Sequence, residues 1–308
     1  MRLARLPLVA ALLLAVPFAC ATRQARATTP AAAAHRVLFD DTKAETAGNA
    51  DWIVSSRMPD PTAQNPNPRT ERDWTGALSA WGVALQKTGR YTLRTLPPGG
   101  RITFGDSTNA LDLSGFDAFV LPEPNVRFSA AEKSAILAFV HAGGGLFLVV
   151  DHTGSDRNND GVDSVRAVDD LMAAGPAGDP FGFTVDALNI ARDNPVAART
   201  ASDPVLHGPF GTVTGSIIRN GTTATLHPAD NPAVRGIVWR TGANQSGTTG
   251  AFIVTSRYGT GRVALWGDSS AIDDGTGQPG NRLFDGWDDP AGTDAALGLN
   301  ATAWLATR

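Results

Sequence analysis

The chain has 308 residues, 30 acidic and 26 basic side chains and one cysteine, with a formal net charge of −4. A single cysteine excludes a disulfide within the chain, and an acidic balance argues against a nucleic-acid binder that neutralises phosphates with a basic face. The length beyond the N-terminal leader is enough for one large domain with a sizeable core.

Arg2 and Arg5 precede an apolar stretch from Leu6 to Ala19, too short to span a bilayer as a mature helix but suited to a secretory signal. Small-residue cleavage sites stand at Ala19-Cys20-Ala21 and Ala25-Arg26-Ala27. Residues 1–27 hold four arginines and no acid, so their removal leaves a more acidic protein. Two readings of Cys20 stay open. It is the lipid-bearing cysteine of a bacterial outer-membrane lipoprotein, or it belongs to a plain signal for a secreted or periplasmic protein, which Pro17-Phe18-Ala19 favours. Residues 28–34 read as a tether and residues 35–308 as the domain.

Apolar runs bounded by turn residues predict strands at His35 to Asp40, Tyr91 to Leu96, Phe116 to Leu121 and Leu146 to Asp151, with a last pair at Ala251 to Arg257 and Arg262 to Gly267. Helical spacing of Trp74, Leu78, Trp81 and Leu85 predicts a helix over Asp73 to Thr88. A second, Ala130 to His141, opens with Ser129 and Glu132 as a capping box and stops at three glycines. Residues 181–238 are rich in Thr, Val, Ile, Asn and Gly and imply a β-rich insertion, reaching to about residue 257 with the adjoining strand. A final helix over Thr293 to Ala306 presents Leu297, Ala301, Trp304 and Leu305. Alternation of strand and helix gives an α/β class: a mainly parallel, flavodoxin-like doubly wound sheet with a β-rich insertion.

The segments Asp117-Ala118-Phe119-Val120-Leu121-Pro122-Glu123-Pro124, Phe128-Ser129-Ala130-Ala131-Glu132 and Phe139-Val140-His141-Ala142-Gly143-Gly144-Gly145-Leu146 resemble the class I glutamine amidotransferase-like superfamily. The branch is that of gliding-motility and intraflagellar-transport proteins and related secreted bacterial proteins. Gly261 to Ser269, followed by Asn300-Ala301-Thr302-Ala303-Trp304-Leu305, is similar to that branch's ending of strand, Gly-Asp-Ser turn and terminal helix. The resemblance covers about two thirds of the mature chain and implies a fold more than an activity. Glutamine amidotransferases of this superfamily use a cysteine on a turn after a central strand. Here that turn carries Asp151-His152-Thr153 and no cysteine follows Cys20, so glutaminase chemistry of that type is excluded.

Two constellations carry chemistry. Asp156, Asn158 and Asp160 alternate ahead of Gly161, with the Val162 carbonyl and Asp163 beyond, as in the opening of a calcium loop. Position 12 of that pattern is Ala167, so Asp163, Asp169 or a distant carboxylate must close the shell, and the alternative is a polar turn that satisfies its own hydrogen bonds. The second constellation is distributed over strand ends: Asp40 and Asp41, Glu123, Asp151 with His152, and Asp268 with Ser269 and Ser270. Gathered in one crevice these groups suit a second divalent metal with Asp151 or His152 as ligand or general base. Asp273 and Asp274 are further crevice candidates, Ser269 is a candidate nucleophile, and Trp287 is a candidate sugar-stacking ring. The residues thus lead to a secreted, calcium-binding, metal-assisted hydrolase of an extracellular polymer or ester, centred on Asp151, His152 and Asp268. The alternative is a non-catalytic module binding a glycan or other ligand in the same crevice.

Overall fold

The computed structural model describes residues 34–70, 73–175, 178–200, 202–277 and 284–307. The expected signal over residues 1–27, Cys20 and residues 28–33 of the expected tether lie outside them. The N-terminal half alternates strand and helix: β1 (His35–Asp40), α1 (Ser79–Lys87), β2 (Tyr91–Leu96), β3 (Ala118–Pro122), α2 (Ala130–His141), β4 (Gly145–Val149) and α3 (Ser164–Met172). Short strands follow, β5 (Phe183–Val185), β6 (Val196–Ala197), β7 (His207–Gly208), β8 (Gly211–Thr212), β9 (Ala224–Leu226) and β10 (Arg235–Trp239). The chain closes with β11 (Ala251–Tyr258), β12 (Gly261–Trp266) and α4 (Asp294–Ala306).

The strands β2, β1, β3, β4 and β12 lie side by side in that order and run parallel. This is the flavodoxin-like order, in which the chain reverses its direction of winding between β1 and β3 and opens a crevice at the strand ends there. Antiparallel β11, β10 and β6 extend the sheet beyond β12, with β9 and β5 branching from β11. The parallel strands are buried on both faces, which is why they read as continuous apolar runs rather than alternating ones. One face packs α1 and α4 through Trp81, Leu85 and Leu297, and the other packs α2 and α3 through Ile136, Phe139, Val165 and Leu171. Trp81 meets Phe39 and Phe147 edge-on at ring distances of 5.5 and 5.2 Å. Trp287 stacks on it at 6.0 Å and is itself buried, so it belongs to the core and is no sugar platform.

The structure departs from the sequence reading in three places. Helix α1 starts at Ser79 rather than Asp73, because the Asp274 carboxylate accepts the Ala80 N–H at 2.6 Å and the Ser79 hydroxyl at 3.1 Å, capping the helix there. Helix α3 was not anticipated. Asp163 is its N-cap, accepting the Arg166 N–H at 2.9 Å, and Val165, Val168 and Leu171 form its buried stripe. The insertion is β-rich as composition implies, but its strands are two to five residues long, and the long β11 belongs to the main sheet.

Candidate functional site

Glu123 follows β3 with a left-handed backbone, φ 54°, a conformation that a glutamate holds only when its surroundings fix it. Those surroundings are its N–H donating to the Val149 carbonyl at 2.9 Å and its own carbonyl accepting Asn125 Nδ2 at 2.9 Å. Its fully buried carboxylate meets Arg157, which donates Nε to Oε1 at 2.6 Å and Nη2 to Oε2 at 3.2 Å. The same Nη2 lies 2.9 Å from Oδ2 of Asp151, and Nη1 donates to Asn49 Oδ1 at 3.0 Å. One guanidinium therefore ties the ends of β3 and β4 to the loop after β1.

Asp151 sits just past β4, its backbone N–H held by the Ser164 hydroxyl at 2.8 Å and its carboxylate by the His152 N–H and the Ser155 hydroxyl, both at 2.7 Å. Burial, then the charges of Glu123 and Asp268, push its carboxyl well above the usual range against the pull of Arg157. Arg157 is held charged: burial opposes its charge, but Glu123 and Asp151 outweigh that and raise its pKa. Asp268 follows β12, accepts the Arg219 N–H and, at 2.8 Å, the Ser270 N–H, and is pushed up to about 6 by burial. A Cβ on Gly221 would lie 2.7 Å from Asp268 Cβ, so glycine is required for the insertion to reach this strand end.

His152 places Nδ1 2.8 Å from the Thr153 carbonyl. A carbonyl only accepts, so Nδ1 donates, and Nε2, 4.0 Å from Asp151 Oδ2, is the nitrogen that holds the lone pair in the neutral ring. The imidazole lines a cavity of about 330 Å³ together with Asp151, Arg157 and Arg219. Amides Asn49 and Asn220 and the rings of Trp52 and Phe284 complete its wall, with Ser270 and Asp273 beside them. Of the residues singled out in the sequence, Asp151, His152, Ser270 and Asp273 reach this cavity, and Glu123 and Asp268 buttress it from behind. Ser269 does not reach it: the turn after Asp268 buries that hydroxyl completely, and Ser270 takes the exposed place. A nucleophilic Ser269 therefore has no access to a substrate.

The remaining candidates stand apart. Asp40 and Asp41 are buried after β1. Burial raises Asp40 to about 6, and burial, then the charge of Asp40, raises the Glu45 carboxyl well above its usual range. Asp41 is pushed to about 7 by burial and by Asp40. Asp274 caps α1, whereas Asp273, at the cavity wall, accepts the Gly275 and Phe284 N–H groups at 3.0 and 2.7 Å. In the expected calcium loop, Asp156 accepts the Asp160 and Gly161 N–H groups at 3.1 and 2.7 Å, and Asp160 accepts Val162 N–H at 2.8 Å and Asn158 Nδ2 at 3.1 Å. Gly161 makes the turn with φ 88°. Asp163 accepts the Gly154 N–H at 2.7 Å besides capping α3. Among the described residues no group of three or more His, Cys, Asp or Glu side chains is placed to share a metal ion.

Arg157, Arg219, Asn49 and Asn220 were not singled out in the sequence. For Arg157 a signal existed: it is the one cation inside the acidic run from Asp151 to Asp163. For the others there was none, since their meeting depends on the insertion folding back.

No protein-family model and no curated protein matches the chain. Among solved structures it is similar to the mmIFT52 N-terminal domain, with 15% identity, a TM-score of 0.50, and coverage of 88% of this chain and 98% of that one. The likeness is one of fold. A putative ThuA-like protein from Parabacteroides merdae matches over 90% of this chain and 91% of its own at 13% identity and a TM-score of 0.46. The beta-galactosidase from Rahnella sp. R3 matches at 12% identity and a TM-score of 0.43, over 89% of this chain and 32% of its own. Among the described residues no helix is long and apolar enough to cross a membrane.

Proposed function

We propose that the cavity at the carboxyl ends of the parallel strands binds a polyhydroxylated ligand, a sugar unit of an extracellular glycan, without turning it over. The observation that carries this reading is the wall: amides from Asn49 and Asn220 and the exposed ring of Phe284 around charged groups whose own hydrogen bonds are already made. Amides and aromatic faces suit hydroxyl-rich ligands, and about 330 Å³ suits one or two sugar rings. The carboxylates that pointed to metal-assisted hydrolysis are engaged instead with Arg157, Ser155 and backbone N–H groups, so fewer of their lone pairs remain for a metal.

A second reading, hydrolysis, is supported by His152, whose Nε2 lone pair at the cavity wall suits a general base. Calorimetry against a panel of mono- and oligosaccharides, with Asn49→Ala and His152→Ala, separates the two. Saturable binding weakened about tenfold by Asn49→Ala, with no product formed, supports the binding module. Turnover abolished by His152→Ala or Asp151→Asn establishes the hydrolase and overturns it, and a panel with neither binding nor turnover overturns both.

Export and calcium belong to the same proposal. The apolar leader over residues 1–27 supports a secreted or periplasmic protein, with a lipid anchor at Cys20 if cleavage falls before it. The alternation of Asp156, Asn158 and Asp160 supports calcium there, which on binding would draw these oxygens away from their present backbone partners. Intact mass of the exported protein reads out cleavage and lipidation directly.

A further inference from the structure

At the opposite end of the parallel sheet, where β4 and β12 begin, Arg257 and Arg262 face each other as direct partners across the β11–β12 hairpin. Like charges in that register repel and destabilise a hairpin. Both guanidinium groups lie against the indole of Trp304 on α4, at 6.0 and 5.8 Å from the ring centre. Among the described residues neither guanidinium makes a hydrogen bond or an ion pair. Arg262 Nε is moreover shielded from water, which leaves an N–H donor with neither solvent nor protein to receive it. The cost of that arrangement shows in Arg262, whose charged form is disfavoured by burial and then by Arg257.

A groove of about 570 Å³ opens beside this pair, with Arg262 and Trp304 in its wall and Pro204, Pro209 and Ala303 making it apolar. His207, on the β7–β8 hairpin, adds a further ring nitrogen. That hairpin is fixed in place by Asn300, which donates to the Val205 and Gly211 carbonyls at 3.1 and 2.8 Å and accepts the Phe210 N–H at 2.9 Å. The groove is thus a preformed wall and not a chance gap between loose loops.

We propose that this groove is a second binding site, for a small ligand that carries a carboxylate or phosphate group on an apolar or planar body. The oxyanion would meet the outer Nη1 and Nη2 groups of Arg262, which have no partner among the described residues and, unlike Nε, are not shielded, while Arg257 across the hairpin adds its charge and is relieved of part of the repulsion. The ligand's body would lie against the prolines and the free part of the Trp304 ring. Cation–π contact with Trp304 offsets part of the repulsion without a ligand, but it supplies no acceptor for the outer N–H groups of Arg262.

Calorimetric titration of the full chain with phenyl phosphate and with benzoate tests this, against inorganic phosphate and acetate as the same anions without a body. One-to-one binding is expected for at least one of the aromatic anions, weakened about tenfold or more in Arg262→Gln and several-fold in the exposed Arg257→Gln. The stronger of the two identifies the anion as phosphate or carboxylate. Arg192→Gln, a surface arginine elsewhere, should bind as wild type does, and a thermal melt of each variant confirms that it is folded. No saturable binding to the wild type, equal loss in Arg192→Gln, or equal affinity for the bodiless anions overturns the site as proposed.

Discussion

Arg157 donates Nε to Glu123 at 2.6 Å across 34 residues of sequence, and its fork also holds Asp151, so a single cation neutralises the ends of two adjacent parallel strands. Glu123 is wholly buried and Asp151 nearly so, and neither has another cation bonded to it among the described residues. Removing one member of a buried pair leaves an uncompensated charge, which costs about 3–5 kcal/mol. Arg157→Met should therefore lower stability in urea unfolding by about that amount, and Arg157→Lys by less, since an ammonium cannot span both carboxylates as a fork does. Adding Glu123→Gln to Arg157→Met should recover part of the loss. A double-mutant cycle with no coupling would show that the pair does not hold the strand ends together.

Several buried carboxyls imply an unusual pH dependence. Burial and the Asp40 charge raise Asp41 to about 7, burial raises Asp273 to about 7, and burial raises Asp40 and Asp268 to about 6. In the unfolded chain an aspartate releases its proton near 3.8. Between roughly pH 4 and 7 the folded chain consequently holds more protons than the unfolded one, and stability falls as the pH rises through that window. The melting temperature should decline from pH 5 to pH 8 and level off above it. Asp41→Asn should flatten the decline and raise stability at pH 8 by about 1 kcal/mol, a fraction of the roughly 1.4 kcal/mol per pH unit that a rigid site would give. A melt that rises between pH 5 and 8 would show these groups ionised in the fold.

The parallel core was legible because burial on both faces turns strands into uninterrupted apolar runs, and β1, β2 and α2 have the bounds that the sequence marks. Helix α3 was hidden by its own N-cap. Asp163 read as the end of an acidic loop, although Val165, Val168 and Leu171 behind it carried the helical period. At the site, position was legible and partnership was not. Strand-end carboxylates at 123, 151 and 268 do come together, but what neutralises them, Arg157, and what shapes the cavity, Arg219 and Asn220, depend on how a weakly patterned insertion folds back. Ser269 misled because it and Ser270, adjacent in one short turn, face opposite sides, and Trp287 misled because its ring stacks on Trp81 in the core.

The contact between the insertion and β12 gives a sharp test. Gly221 has no room for a side chain, since its Cβ would stand 2.7 Å from both Asp268 Cβ and the Gly267 carbonyl oxygen, and backbone cannot swing away as a flexible side chain does. Gly221→Ala should cost about 1–3 kcal/mol by overpacking. Because Asn220 and Arg219 beside it line the cavity, the same change should weaken saccharide binding by more than an equally destabilising change in α2, for example Ile136→Val, does. Equal affinities in the two variants would separate this contact from the site.

Asp163 distinguishes a cap from a metal ligand. Its two carboxylate oxygens accept the Arg166 and Gly154 N–H groups at 2.9 and 2.7 Å, so Asp163→Ala should cost about 1–2 kcal/mol through the lost cap whether or not calcium is present. Asp156 and Asp160 have no helix to cap, and their bonds stay within the turn. If calcium binds, its addition to a chelator-treated sample raises the melting temperature, as any ligand of the folded form does. Asp160→Asn should then diminish that rise, while Asp163→Ala should lower the melting temperature by the same amount with and without the ion. A calcium response lost in Asp163→Ala would instead make Asp163 a ligand, and the cap would have to be surrendered on binding.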